Sequence, residues 1–82
     1  MTEFRVTFAR PSKLGQDSAL ALEDYARAVT SRDALVVKDR KGRVLAVQFA
    51  ASNTPVSTEA AQEVERFFDT LVTESADRLG WN

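Results

Sequence analysis

Residues 34–50 read ALVVKDRKGRVLAVQFA, and this stretch decides the fold. Two short apolar runs rich in β-branched residues flank the turn sequence Asp39–Gly42, which is a strand–turn–strand pattern. Gly42 can supply the positive φ that a type I turn followed by a bulge requires. The sequence therefore predicts a β-hairpin whose strands span Ala34–Lys38 and Arg43–Ala50.

Strict alternation in the second hairpin strand predicts which of its faces is buried. Because bulky side chains bury more apolar surface, we expect the face with the larger residues to point toward the core. That face carries Leu45, Val47 and Phe49. The other face carries Val44, Ala46 and Gln48.

The segment before the hairpin predicts one strand and one helix. A two-residue period relates the apolar residues Phe4, Val6 and Phe8. This period indicates a strand over Glu3–Ala9. Asp17 can accept hydrogen bonds from the free N–H groups of a helix start, so we expect a helix from there to about Ser31. Helical spacing relates its apolar residues Leu22, Tyr25, Ala26 and Val29.

The segment after the hairpin predicts a longer amphipathic helix from Thr58 to Leu79. Ser57 or Thr58 can cap its N-terminus, and Glu59 lies where a negative charge favours a helix start. The apolar stripe of this helix consists of Val64, Phe67, Phe68, Leu71, Val72, Ala76 and Leu79.

These elements give the order βαββα, numbered β1, α1, β2, β3 and α2 along the chain. The order predicts an α/β (α+β) fold, a two-layer sandwich whose three-stranded sheet carries both helices on one face, with a right-handed crossover through α1. We expect a single domain spanning residues 1–82. A domain this small buries only about 60–65 % of its unfolded surface, which makes homodimerisation an open alternative.

The composition predicts a folded cytoplasmic protein. The chain is 44 % apolar and 28 % charged, as is typical of globular domains. It contains no cysteine, which suits a reducing compartment. No stretch approaches the roughly 20 apolar residues of a membrane span, and the first residues lack the apolar core of a signal peptide. We therefore expect no membrane partner.

The residue types give little support to catalysis. The chain has no histidine, the side chain most often used as a general acid or base near neutral pH. Glu23 and Asp24 are adjacent on α1 and point about 100° apart, so we expect them to be ordinary solvated charges. Metal-ligand and phosphate-loop spacings are also missing from the sequence. We expect no enzymatic activity, no cofactor and no metal.

Charge is divided unevenly along the chain. Residues 1–54 carry nine Lys and Arg against six Asp and Glu, whereas residues 55–82 carry two against six. The carboxylates of α2 lie off its apolar stripe, either as a plain solvated face or as a binding surface for a cationic partner. In the second interpretation the contact candidates are Glu63, Glu65, Asp69, Glu74 and Asp77.

A basic edge of the sheet is an alternative binding surface. A positive edge of this kind could bind nucleic-acid phosphates. Asp39 lies among the basic residues, however, and no aromatic residues interleave with them for base stacking. A charged turn that keeps an edge hairpin soluble explains the same pattern more simply. The residues of this edge are Arg5, Lys38, Arg40, Lys41 and Arg43.

Three aromatic residues of the C-terminal segment could belong to the core or to an interface. Phe67 and Phe68 point about 100° apart on α2, so both are deeply buried only if the core wraps far around the helix. Gly80 can end α2 in the left-handed conformation, which would let Trp81 fold back near Ala76. Alternatively, an exposed aromatic residue could anchor a partner.

Several short stretches resemble the DinI family. They are RVTFAR at residues 5–10, DRKG at 39–42, VQFAASN at 47–53 and ESAD at 74–77. The members of that family are small bacterial and phage proteins with the order βαββα and an acidic C-terminal helix, and they bind RecA filaments. The resemblance implies that the acidic residues of α2 imitate the negative charge of DNA. The implied contacts are Glu63, Glu65, Asp69, Glu74 and Asp77.

The residues leave three functional hypotheses open. The first is a regulator or inhibitor that binds a basic protein surface through the acidic face of α2, the partner being RecA-like or another DNA-binding protein. The second is a structural homodimer built through the open sheet face or an edge strand. The third is a weak nucleic-acid binder that uses the basic edge.

Overall fold

A computed structural model describes residues 2–78 of the chain, with side chains for residues 3–74. The predicted order βαββα is confirmed. The strands form one antiparallel sheet in the order β1-β3-β2, so β3 is central and the α+β prediction is confirmed. The elements are β1 (Thr2–Ser12), α1 (Gln16–Thr30), β2 (Ala34–Lys38), β3 (Val44–Ser52) and α2 (Thr58–Arg78).

Each helix lies against a different part of the sheet. Among the described residues, α2 has Cα atoms within 8 Å of β1 but of no other strand, whereas α1 approaches β2 and β3. The two helices also contact each other, and one continuous core joins them to the sheet. This core includes Val6, Phe8, Leu22, Ala26, Val47, Phe49, Val64 and Phe68.

The hairpin forms as the sequence predicts. Gly42 has φ 80°, and its N–H donates to the Asp39 carbonyl at 3.1 Å. The Asp39 N–H donates to the Arg43 carbonyl at 2.9 Å. The bounds of β2 are those predicted, whereas β3 begins one residue later than expected and continues to Ser52.

The predicted buried face of β3 is correct at Val47 and Phe49 and wrong at Leu45. Val37 pairs with Ala46 but Lys38 pairs with Val44, so β3 contains one extra residue at this point. Such a β-bulge shifts the alternation of side chains by one position. Val44, with 0 % exposure, therefore takes the core position predicted for Leu45.

The start of α1 also differs from the prediction. The helix begins at Gln16 with Gly15 as N-cap, and no side chain caps it. Asp17 therefore lies inside the first turn, where its charge interacts favourably with the helix dipole. The predicted end is confirmed, since Ser31 takes the left-handed conformation with φ 51°. Strand β1 is longer than predicted and continues to Ser12.

Ser57 caps α2, as predicted. Its Oγ accepts a hydrogen bond from the Ala60 N–H at 3.1 Å. In the described part of the chain α2 continues to Arg78. The predictions for Leu79, Gly80, Trp81 and the side chain of Ala76 lie outside the described residues.

The two adjacent phenylalanines of α2 pack in different directions. The rings of Phe8 and Phe68 stack with centroids 3.9 Å apart, and those of Tyr25 and Phe67 stack at 4.3 Å. Phe68 is 2 % exposed, whereas Phe67 is only partly buried. Phe68 is therefore a core residue that faces β1, and Phe67 lies at the rim of the core beside α1.

Candidate functional site

The acidic residues of α2 lie on two flanks of the helix rather than on a single face. Residues three or four apart on a helix are neighbours on its surface. Glu65 and Asp69 therefore lie on the side of Phe68, toward β1. Glu63 precedes Phe67 by four residues and lies on the α1 side, where the helical repeat also places Glu74. All four side chains are exposed, and the side chain of Asp77 lies outside the described residues.

Ion pairs in the described part of the chain involve other carboxylates. Within residues 3–74, no Lys or Arg nitrogen lies within 4.0 Å of the α2 carboxylates on either flank. The carboxylates that do form ion pairs belong to α1 and to the loops around β2. They are Glu23, Asp24 and Asp33, which pair with Arg27, and Asp39, which pairs with Arg43.

Glu65 and Asp69 line a cleft at the outer side of β1. The cleft has a volume of about 340 Å³. The stacked rings of Phe8 and Phe68 supply its apolar part, and two carboxylates and one guanidinium supply its polar part. The cleft, called the β1/α2 cleft below, is lined by Phe8, Ala9, Arg10, Glu65, Phe68 and Asp69. The position of Arg10 beside α2 was not predicted, because nothing in the chain order shows that these segments meet.

The outer edge of β2 is capped by side chains of α1. The Val36 N–H donates to Glu23 Oε2 at 2.9 Å, and Arg27 Nε donates to the Ala34 carbonyl at 3.2 Å. Glu23 and Arg27 also pair with each other at 3.9 Å. The side chain of Glu23 is only 16 % exposed, so the prediction of an ordinary solvated charge is wrong for this residue.

The outer edge of β1 has no comparable cap among the side chains of residues 3–74. The Ala50 N–H of β3 donates to the Asp33 carbonyl, next to β2, at 3.0 Å. Because the residues of a central antiparallel strand bond alternately to its two neighbours, this bond fixes which residues of β3 bond to β2 and which bond to β1. It follows that Arg5 and Thr7 direct their N–H and C=O groups away from the sheet. Within the described residues, no side chain bonds to these groups. Register shifts flank the regular part of β1, which runs from Phe4 to Thr7, and within that part Phe4 and Val6 are the residues that bond to β3.

Two of the five residues of the predicted basic edge make hydrogen bonds within the molecule. Arg5 Nε donates to Gln48 Oε1 at 2.9 Å, and Arg43 Nε donates to Asp39 Oδ2 at 2.7 Å. The side chains that remain exposed and without such a bond in the described part of the chain are Lys38, Arg40 and Lys41. Asp39 neutralises Arg43, whereas Gln48 is a neutral acceptor and leaves the charge of Arg5 in place, so the charge available for nucleic-acid phosphates is one unit smaller than the five basic residues suggest.

Asp39 organises the turn rather than a binding site. Its Oδ1 accepts hydrogen bonds from the backbone N–H groups of Lys41 and Arg43, each at 2.9 Å. The bond from the Arg43 N–H is the largest cause that holds the pKa of the Asp39 carboxyl below its usual 3.8, and the Arg43 side chain and the Lys41 N–H add to it. Near neutral pH Asp39 is thus ionised, and its carboxylate oxygens are occupied by hydrogen bonds within the turn.

The sheet face opposite the helices carries an exposed apolar residue, Leu35, at 58 % exposure. Cross-strand pairing places Gln48 and Arg5 in the same row. The homodimer hypothesis would use this face or a strand edge, and it stays a prediction.

Within the described residues, no group of three or more His, Cys, Asp or Glu side chains could hold a metal ion. No helix of that part of the chain combines the length and the apolar character that crossing a membrane requires. Comparison with protein-family models, curated proteins and solved structures gives no match. The resemblance to the DinI family therefore stays a hypothesis that depends on the short motifs quoted above.

Proposed function

We propose that this protein is a small non-catalytic binding protein, a regulator or inhibitor, whose α2 carboxylates bind a basic surface of a partner protein. The observation that carries this proposal is the distribution of ion pairs. Four carboxylates of α1 and the loops pair with arginines, whereas those of α2, like Glu3 and Asp17, have no described cation within 4.0 Å. Exposed carboxylates attract and orient a partner of opposite charge, and Arg66 is the one positive residue among the exposed charged side chains described on α2.

The like-charge spacing on α2 supports the same proposal. Glu65 and Asp69 are four residues apart, an arrangement that destabilises an isolated helix slightly. Cations of a partner would remove this repulsion on binding. Proteins that bind DNA present cationic surfaces to its phosphates, so DNA-handling proteins are the partner class that complements α2. The resemblance to the DinI family implies the same class.

The proposal is tested by retention of proteins from a cell lysate on the immobilised chain. The α2 variant neutralises the described carboxylates of both flanks and combines Glu63→Gln, Glu65→Gln, Asp69→Asn and Glu74→Gln. The control variant combines Asp17→Lys, Leu20→Lys and Ala28→Lys on α1, which raises the net charge by the same amount at exposed positions outside α2 and β1.

We expect the native chain and the control to retain the same basic proteins, with elution by salt, and the α2 variant to lose them. Equal retention by all three chains would show that α2 is not the binding surface. Retention of nucleic acid that depends on Arg40 and Lys41 would instead favour the basic edge.

A further inference from the structure

The two sheet edges differ in what they offer a partner. Edge strands present unpaired N–H and C=O groups that can pair with another extended chain. At β2 these groups are bonded to Glu23 and Arg27. At β1 the outward groups of Arg5 and Thr7 have no side-chain partner among the described residues. The edge of β1 is therefore the place where a further strand could add.

The β1/α2 cleft begins at Phe8, the residue after Thr7, where the regular pairing of β1 with β3 ends. In a strand, alternate side chains point to opposite faces of the sheet. One side chain of a strand added next to β1 would therefore point toward the helical layer and reach the cleft. There a long basic side chain could pack its aliphatic stem against Phe8 and Phe68 while its charged end meets Glu65 and Asp69.

From these observations we infer that the edge of β1 binds an extended basic segment of a partner protein as a fourth strand, with one lysine or arginine in the β1/α2 cleft. The inference rests on the proposed function, because it names the flank of α2 and the mode of binding. The other flank, with Glu63 and Glu74, lies on the α1 side of the helix and makes no contact with the added strand.

A single strand suits this edge better than a second copy of the chain. Helix α2 lies against β1, and an α-helix is about 10–12 Å across, whereas neighbouring strands lie only about 4.7–4.9 Å apart. Symmetric pairing of two β1 strands would bring the α2 helices of the two copies toward each other. A single basic strand brings no second helix, and its cations complement Glu65 and Asp69.

Arg10 allows a test of whether the side chain that enters the cleft is positively charged. It lines the same cleft and carries the same charge as the incoming side chain, although no ion pair joins it to Glu65 or Asp69 in the described structure. A cation at that position repels the ligand. Replacing Arg10 by glutamine should therefore strengthen binding of a basic strand.

The probe for the test is a synthetic peptide of alternating lysine and valine, about eight residues long, which is a typical strand length. Its binding to the full chain is titrated by fluorescence anisotropy at low salt. A second peptide has the same side chains but carries N-methyl groups at alternate residues, so that it cannot donate main-chain hydrogen bonds along one edge. Circular dichroism melting verifies that each variant is folded.

We expect Glu65→Lys with Asp69→Lys to weaken binding at least about tenfold, and the matched variant Glu63→Lys with Glu74→Lys to change it less than about threefold. Arg10→Gln should strengthen binding, and the N-methylated peptide should bind at least about tenfold more weakly than its parent.

Three outcomes would overturn the inference. Equal losses for the two α2 variants, together with equal binding of both peptides, would mean that α2 attracts cations without strand addition, which leaves the proposed function standing. No binding of the parent peptide would reject the edge as a strand site, while the lysate experiment judges the proposed function independently. A concentration-dependent dimer in light scattering that Thr7→Pro abolishes would show that a second copy occupies the edge.

Discussion

The edge of β2 is capped by Glu23 and Arg27 of α1, whereas the edge of β1 lies beside the helix α2, and no described side chain bonds to the outward backbone groups of Arg5 and Thr7. Both edges have a helix nearby, but among the described side chains only those of α1 bond to the backbone of the strand beside their helix. A helix over an edge therefore does not by itself close that edge. The chemistry of the nearest side chains decides whether a further strand can add.

The largest effect on the free energy of unfolding is expected where α2 packs against β1. Replacing Phe68 by alanine should lower the free energy of unfolding by about 3–5 kcal/mol, because it removes a buried ring stacked on Phe8. Phe67→Ala, its matched control at the rim beside α1, should cost clearly less. Urea unfolding measures both. Equal costs would mean that α2 is not anchored through the β1 side.

Removing the cap of β2 should have the next largest effect. Glu23→Ala deletes the acceptor of the Val36 N–H and should cost about 1–3 kcal/mol of unfolding free energy, since this bond involves a charged acceptor. Amide hydrogen exchange at Val36 should become faster. Glu23→Gln keeps an oxygen acceptor and should recover part of both losses. Unchanged exchange at Val36 in the alanine variant would contradict the assignment of Glu23 as the cap.

The hairpin that joins β2 to β3 should respond to pH through Asp39. Its pKa is lowered in the folded state, so its contribution to stability is present above the unfolded value near 3.8 and is lost as the pH falls through the folded pKa. Asp39→Asn should therefore melt at a lower temperature than the native chain near neutral pH, and the two should converge in acid. A difference that stays constant with pH would rule out this role of the carboxylate.

The smallest effect on stability is expected for the two flanks of α2. Glu65→Lys with Asp69→Lys, and Glu63→Lys with Glu74→Lys, replace exposed side chains without described ion pairs. Each double variant should change the unfolding free energy by no more than about 0.5 kcal/mol. A large loss of unfolding free energy in either variant would show that these carboxylates stabilise the fold and are not simply exposed charges available to a partner.

Much of this architecture could be predicted from local sequence. Gly42 between two β-branched runs predicts the hairpin, and the spacing from Val64 to Leu71 predicts the buried side of α2. The placement of the acidic residues on two flanks of α2 could also be predicted, because helical spacing puts Glu63 on the side of Phe67 and Glu65 on the side of Phe68. That signal requires knowing that the two phenylalanines face different neighbours, which the sequence left open.

Other features depend on contacts between distant segments. The bulge at Leu45 cannot be read from alternation, since it appears only in the pairing of β3 with its neighbouring strands. The cap formed by Glu23 requires that α1 lie beside the edge of β2. The approach of Arg10 to α2 requires the whole fold. Each depends on tertiary packing, which single-sequence patterns do not encode.

The most direct test of the open edge is residue-resolved amide hydrogen exchange of the full chain with and without the lysine–valine peptide. If the peptide adds as a strand, the Arg5 and Thr7 amides should become protected, because their N–H groups gain acceptors, while exchange at Val36 stays unchanged. Exchange at Arg5 and Thr7 that does not slow when the peptide is bound would contradict strand addition at β1.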